Sequence, residues 1–178
     1  MASDLQRAKA GDRDALAKFV DENYDAVHRF CAVRLGPDLA PDAAQETFLT
    51  ACRRLRDFRG ESSLKTWLFG IAHNHCRNLA RKRKMETLFW TYESTVENSP
   101  ATGAQTAPDS VIDREALRTA LRTLGAEHRE VVLLKEVDGL TYDEVGVVLG
   151  IPSGTVKSRL HHAFRQLRDA LLEKETDR

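Results

Sequence analysis

The chain has 178 residues, enough for one domain or two small ones, and its 27 Lys/Arg balance 27 Asp/Glu to a net charge of zero. Global charge therefore gives no sign of a nucleic-acid partner, while the polar N-terminus and the shortness of every apolar run argue against an export signal or direct membrane insertion. Cys31, Cys52 and Cys76 form no CxxC pair, so the expectation is a cytoplasmic protein with reduced thiols rather than a disulfide framework.

Charge is unevenly placed. Residues 53–84 hold ten Lys/Arg against two acids, and residues 85–113 hold five acids and no Lys or Arg. The neutral total thus conceals a basic segment followed at once by an acidic one. Nearly every apolar pattern has a helical period and no alternating strand is evident, so the expected fold class is all-α. Asp12 to Arg34 reads as one long helix or a broken pair, closing at Gly36-Pro37. A second helix starts near Pro41, a favoured first-turn position, and runs through Phe48 and Leu55 to about Asp57. Gly60 and Ser62-Ser63 mark a loop, Ser63 suits an N-cap, and a third helix follows to about Met85.

At 100° per residue the third helix sorts into two faces. Leu64, Leu68, Ile71, His75 and Leu79 share an apolar arc with Trp67 at its margin. His73, Asn74, Arg77 and Arg81 lie on or near the other side, extended by Lys82-Arg83-Lys84. The first face explains docking, and the second suits phosphate. Helix-dipole complementarity accounts for one or two terminal cations, not for the run from Arg81 to Lys84. His73 and His75 point about 160° apart and cannot share a metal ion. The pairs His73/Cys76 and His28/Cys31 have usable spacing, but no further ligands are indicated, and His75 reads as a hydrogen-bonded core histidine.

Residues 86–110 are rich in Pro, Thr, Ser, Ala and Gly with scattered acids, the composition of a flexible linker. Its oddity is the apolar run Leu88-Phe89-Trp90 with Tyr92, which either packs on the preceding domain or meets a partner. Helices are then expected near 114–124, 127–138, 142–149 and 153–174. The result is two small helical domains, 1–85 and 111–178, joined by the 86–110 linker.

The last two helices form a helix-turn-helix pattern. Thr141 and Glu144 have the spacing of a capping box, and Gly150 and Pro152 punctuate the turn before a new start at Ser153. In the second helix Val156, Leu160, Ala163, Leu167 and Leu171 make one apolar stripe. Thr155, Ser158, His162 and Arg165 lie opposite, flanked by Lys157, His161 and Arg168. From Ser153 to Arg168 there are four Lys/Arg and no acid. Such a face suits phosphates and base edges, although a solvated amphipathic helix would share the stripe. There is no glycine-rich phosphate loop, HExxH or GxSxG, so an enzyme is not expected.

Four stretches in order carry a resemblance: Gln45-Glu46-Thr47-Phe48; Phe58-Arg59-Gly60-Glu61-Ser62-Ser63; Thr66-Trp67-Leu68 followed by Ile71-Ala72-His73-Asn74; and Gly154-Thr155-Val156-Lys157-Ser158-Arg159 behind Leu140–Gly146. With them the chain resembles the extracytoplasmic-function (ECF, group 4) sigma factors of the bacterial sigma-70 family. The resemblance implies that residues 1–85 are similar to sigma domain 2 and residues 111–178 to sigma domain 4. Asp42, Gln45, Glu46 and Phe48 would then meet core RNA polymerase. Arg59, Gly60, Glu61, Ser62 and Ser63 would take an unpaired base of the −10 promoter element, with His73, Asn74, Arg77, Asn78 and Arg81 on the adjoining DNA. Ser153, Thr155, Lys157, Ser158, Arg159, His161, His162 and Arg165 would read the −35 element. The linker would thread between the polymerase cleft and the RNA exit channel, where its acids suit a path otherwise taken by RNA. An anti-sigma factor is the implied regulator, and no cofactor or metal is implied.

This chain departs from the family pattern in carrying Ala43-Ala44 where larger apolar residues are usual, Cys52 in place of an aromatic, and His161-His162 in place of Arg or an aromatic. The histidines hint at an unfamiliar −35 preference, and at pH sensitivity, since histidine titrates nearest neutrality. The alternative is a stand-alone helix-turn-helix regulator, which would bind DNA tightly without polymerase. The Phe58–Ser63 loop and the basic third helix speak against it.

Overall fold

The computed structural model describes residues 2–93 and 114–176, and the chain divides into two compact units, one made mainly of residues 1–93 and the other mainly of the remainder. The described residues form helices and turns, with no strand among them.

The first unit opens with α1 (Ala2–Lys9), which the sequence reading did not anticipate. Helix α2 (Arg13–Leu35) is one continuous helix. Asp12 starts it by accepting from the Asp14 and Ala15 N–H groups at 3.0 and 3.2 Å. Gly36 ends it at φ +85°, where a side chain would be strained. Helix α3 (Ala40–Arg54) carries Pro41 in its first turn and tightens into a 3₁₀ turn over Leu55–Asp57. Helix α4 (Leu64–Glu93) begins beside Ser63, whose Oγ accepts from the Thr66 N–H at 3.1 Å.

Helix α4 runs eight residues past the expected end at Met85. Glu86–Glu93 contains no Gly or Pro, so nothing in it stops a helix already under way. The expected linker loses its first eight residues to α4, and 94–110 lies outside the described residues. The Leu88–Tyr92 run is carried on the last turns of α4, and its side chains also lie outside them.

Helices α2, α3 and α4 pack pairwise around Val27, Phe30, Cys31, Leu55, Leu68, Phe69, Ala72 and Cys76. Because α4 touches both α2 and α3, its buried surface is wider than the expected arc and takes in Phe69, Ala72 and Cys76. Phe69 meets Phe30 with ring centroids 4.6 Å apart. Ala43, Ala44 and Ala51 are wholly buried, so α3 approaches its neighbours on small side chains.

In the second unit, α5 (Arg114–Thr123) and α6 (Ala126–Val132) precede a π turn over Leu133–Val137 that closes with Asp138 N–H to Leu133 O at 2.9 Å. The expected 127–138 helix is thus α6 plus a widened turn. Then come α7 (Tyr142–Leu149) and the long α8 (Ser153–Thr176), against which α5 and α6 pack. Leu124, Val131, Leu134, Leu140, Val145, Val156 and Ala163 are the heart of this core.

Candidate nucleic-acid interface

The helix-turn-helix forms as its punctuation dictates. Thr141 and Glu144 make a reciprocal capping box: Thr141 N–H donates to Glu144 Oε2 at 2.9 Å and Glu144 N–H to Thr141 Oγ1 at 3.3 Å. Gly150 ends α7 in the left-handed conformation at φ +67°. The chain reverses there, with Ile151 N–H donating to Gly146 O at 3.0 Å. The Pro152 carbonyl then starts α8 by accepting from the Thr155 and Val156 N–H groups at 2.9 and 3.2 Å.

Seating of α8 follows its stripe. Val156, Leu160, Ala163 and Leu167 are buried and Leu171 is half-buried, which leaves the opposite face outward. Lys157, Ser158, His161, His162 and Arg165 are exposed, while Ser153 and Thr155 are half-exposed. Ser158 Oγ donates to Thr155 O at 3.0 Å, and His161 and His162 stand with ring centroids 5.9 Å apart. Arg159 differs from its neighbours. Its side chain is 26% exposed and pairs with Glu127 of α6 at 2.7 Å, so it braces α8 against α6.

Two residues outside the expected set join this face. Tyr142, at the first position of α7, lies beneath the ammonium groups of Lys157 and Lys135, each 5.4 Å from its ring centroid. His128 of α6 brings its ring to 6.4 Å from His162. Tyr142 was within reach of sequence reasoning, as an aromatic directly after an N-cap at the foot of a helix-turn-helix. Nothing local in the sequence marks His128.

In the first unit the Phe58–Ser63 loop leaves the 3₁₀ turn over Phe58, whose ring rests on Trp67 at 5.2 Å. Trp67 is therefore the loop's support, half-buried as expected of a core residue. Arg59 and Glu61 extend into solvent at 82% and 81% side-chain exposure. Gly60 is at φ +76°, and Ser62 and Ser63 close the loop onto α4. Along α4, Asn74, Arg77, Asn78 and Arg81 are exposed and His73 is half-exposed, so all five share the outward side. His75 turns inward to Thr50, with Nε2 and Oγ1 3.0 Å apart.

On α3, Asp42, Gln45 and Glu46 are exposed, but Phe48 is 6% exposed. Phe48 packs edge-on to Phe19 at 6.3 Å and stacks on Tyr24 at 6.1 Å, which makes it the floor of the face and not its surface. A shallow groove between α2 and α3 opens over it, lined by Val20, Tyr24, Pro41, Gln45, Leu49 and Cys52. Burial in that groove pushes the Cys52 thiol above its ordinary range. Among the described residues, no group of three His, Cys, Asp or Glu side chains is placed to hold a metal ion, and no helix is long and apolar enough to cross a membrane.

Comparison with known proteins falls on the same two units. The Sigma-70 region 2 family matches residues 19–86, and the Sigma-70 region 4 family matches residues 114–167. The ECF RNA polymerase sigma factor SigW of Bacillus subtilis is 32% identical over 94% of this chain and 94% of its own. The RNA polymerase sigma factor CarQ of Myxococcus xanthus is 31% identical over 97% of this chain and 98% of its own. Among solved structures, the sigma factor RpoE of Bartonella quintana, crystallised with the anti-sigma factor NepR, superposes with a TM-score of 0.69 at 28% identity, covering 87% of this chain and 95% of that one. The chain therefore belongs to the sigma-70 family of transcription initiation factors, as a homologue of its ECF members.

Proposed function

We propose that this protein is a group 4 ECF sigma factor, working in the cytoplasm, that docks on core RNA polymerase, opens promoters at the −10 element and reads the −35 element through α8. The observation that carries the assignment of sites is the outward side of each unit. One presents the Arg59–Glu61 loop beside the Asn74–Arg81 face of α4, and the other presents an α8 face with its apolar stripe buried beneath it.

Each group has a task in this scheme. Asp42, Gln45 and Glu46, levelled by Phe48 beneath them, meet the polymerase. Arg59 through Ser63 hold a flipped −10 base, which offsets part of the few kcal/mol lost on unstacking. His73, Asn74, Arg77, Asn78 and Arg81 follow the adjoining backbone. Ser153, Thr155, Lys157, Ser158, His161, His162 and Arg165 face the −35 groove, and Arg159 fixes the angle of α8 from behind. Neither unit makes many phosphate contacts by itself. Polymerase holds both at promoter spacing and converts two weak contacts into one strong one through effective concentration.

Control by an anti-sigma factor belongs to the same proposal. The solved relative was crystallised with one, and the groove over Phe48 leaves Tyr24 and Leu49 39% and 42% exposed beside the polymerase-facing residues. A partner covering that groove would shut off polymerase.

The test is binding to purified core RNA polymerase, followed by run-off transcription on a randomised promoter library. The expected result is tight binding and transcripts enriched for one −10 and one −35 sequence. A chain that shifts DNA by itself and ignores polymerase would instead be a stand-alone regulator.

A further inference from the structure

The Phe58–Ser63 loop is fixed at its entry. The Phe58 ring lies on Trp67, its N–H donates to Leu55 O at 3.2 Å, and its carbonyl accepts from Lys9 Nζ at 2.7 Å across 49 residues of sequence. Lys9 is the last residue of α1, and α1 is itself anchored. Arg7 donates through Nε and Nη2 to Asp12 Oδ2 at 2.9 and 2.7 Å, while Asp12 Oδ1 caps α2. Ala8 is 3% exposed, and α1 also packs on the 3₁₀ turn before the loop.

We infer that Lys9 is a positioning residue for −10 recognition: its ammonium pins the Phe58 carbonyl and so sets where the base-reading loop leaves the helical bundle. The inference rests on the proposed role of that loop. A charged donor on a carbonyl is stronger than a neutral one, and this bond is partly shielded from water. A loop whose entry is fixed cannot shift to accommodate a base of the wrong shape, so a mismatch is left unpaired and the contact appears as preference for the base that fits. Beyond the entry, Arg59 and Glu61 are exposed and meet each other at 4.0 Å, and the loop is next held at its exit, where Ser63 Oγ accepts from the Thr66 N–H.

The experiment uses the full chain with core polymerase and follows open-complex formation on promoters differing at the unpaired −10 base, over a range of salt. Lys9→Met should lower the preference for the favoured base roughly three- to tenfold, a part of what one charge-assisted hydrogen bond is worth, since the loop acts on the base at one remove. Core affinity and salt slope should stay unchanged, and Lys9→Arg should restore the preference. An undiminished preference overturns the inference. So does a salt slope reduced by about one, which would make Lys9 a phosphate contact instead. A fall in core affinity that matches the fall in transcription would overturn it too, because the damage would then be general. Glu61→Ala separates this inference from the reading beneath it. If Glu61→Ala weakens the preference and Lys9→Met does not, only the inference fails; if Glu61→Ala changes nothing, the role of the loop fails.

Discussion

Gly146 sits where α7 meets its own turn, and a Cβ there would stand 2.7 Å from the Ile151 carbonyl oxygen. That contact is with backbone, which cannot swing aside as a flexible side chain would. Gly146→Ala should therefore cost about 1–3 kcal/mol, as overpacking does, and lower the urea midpoint of unfolding. A variant with the wild-type midpoint would show that the turn gives way freely. Arg129 is a second residue whose weight is set by its surroundings. It donates to the carbonyls of Leu121, Arg122 and Leu124 at 2.8, 2.9 and 2.9 Å, tying the end of α5 to α6. Arg129→Met keeps most of the stem and removes the donors, so unfolding should become easier by about 2–3 kcal/mol. An unchanged midpoint would mean that water replaces the guanidinium without loss. Ala43 and Ala44 read in the sequence as a departure from the family pattern. In place they are wholly buried, and their small size sets how closely α3 approaches its neighbours.

Capping decides where elements begin, and two caps give measurable expectations. Thr141→Ala removes one half of the capping box and should destabilise the helix-turn-helix by about 1 kcal/mol, with −35 binding weakened in step. Loss of stability at unchanged −35 affinity would show that α8 holds its place without α7's first turn. At the corner between α1 and α2, the Ala15 N–H and then the Arg7 guanidinium hold the Asp12 carboxyl below its ordinary 3.8. A carboxyl whose pKa is depressed by folding adds stability that is present above the unfolded value and lost as pH falls through the folded one. Asp12→Asn retains a capping oxygen and loses the charge, so the stability gap to wild type should close as pH falls below 3.8 and through the depressed folded value. A gap that persists at the acid end would place the effect in the cap and not in the charge. Helices α2, α3, α7 and α8 were legible because Asp12, Pro41, Thr141 and Ser153 stand at their starts with periodic apolar residues behind them. Helix α1 was not, since its short polar stretch earns its order from Asp12 and Phe58, partners that lie outside it.

Two units on one chain imply that their connection matters more for function than for folding. Each has its own buried core, so a chain cut within residues 94–113 should retain its helical signal and much of its unfolding transition. Transcription should fall by orders of magnitude, because the second contact no longer benefits from effective concentration. Near-normal transcription from the cut chain would mean that each unit finds its place on polymerase without the covalent connection. Helical class, two-part organisation, the basic face of α4 and the outward face of α8 followed from the sequence by itself, since periodicity, capping residues and charge runs are local signals that survive in one dimension. Other features waited on tertiary structure: that Phe48 is a floor, that Arg159 braces α8 through Glu127, that Tyr142 lies under two lysines, and that Lys9 grips the loop. Each of these depends on a contact between residues distant in the chain, and no spacing along the sequence encodes which distant atom a side chain will meet.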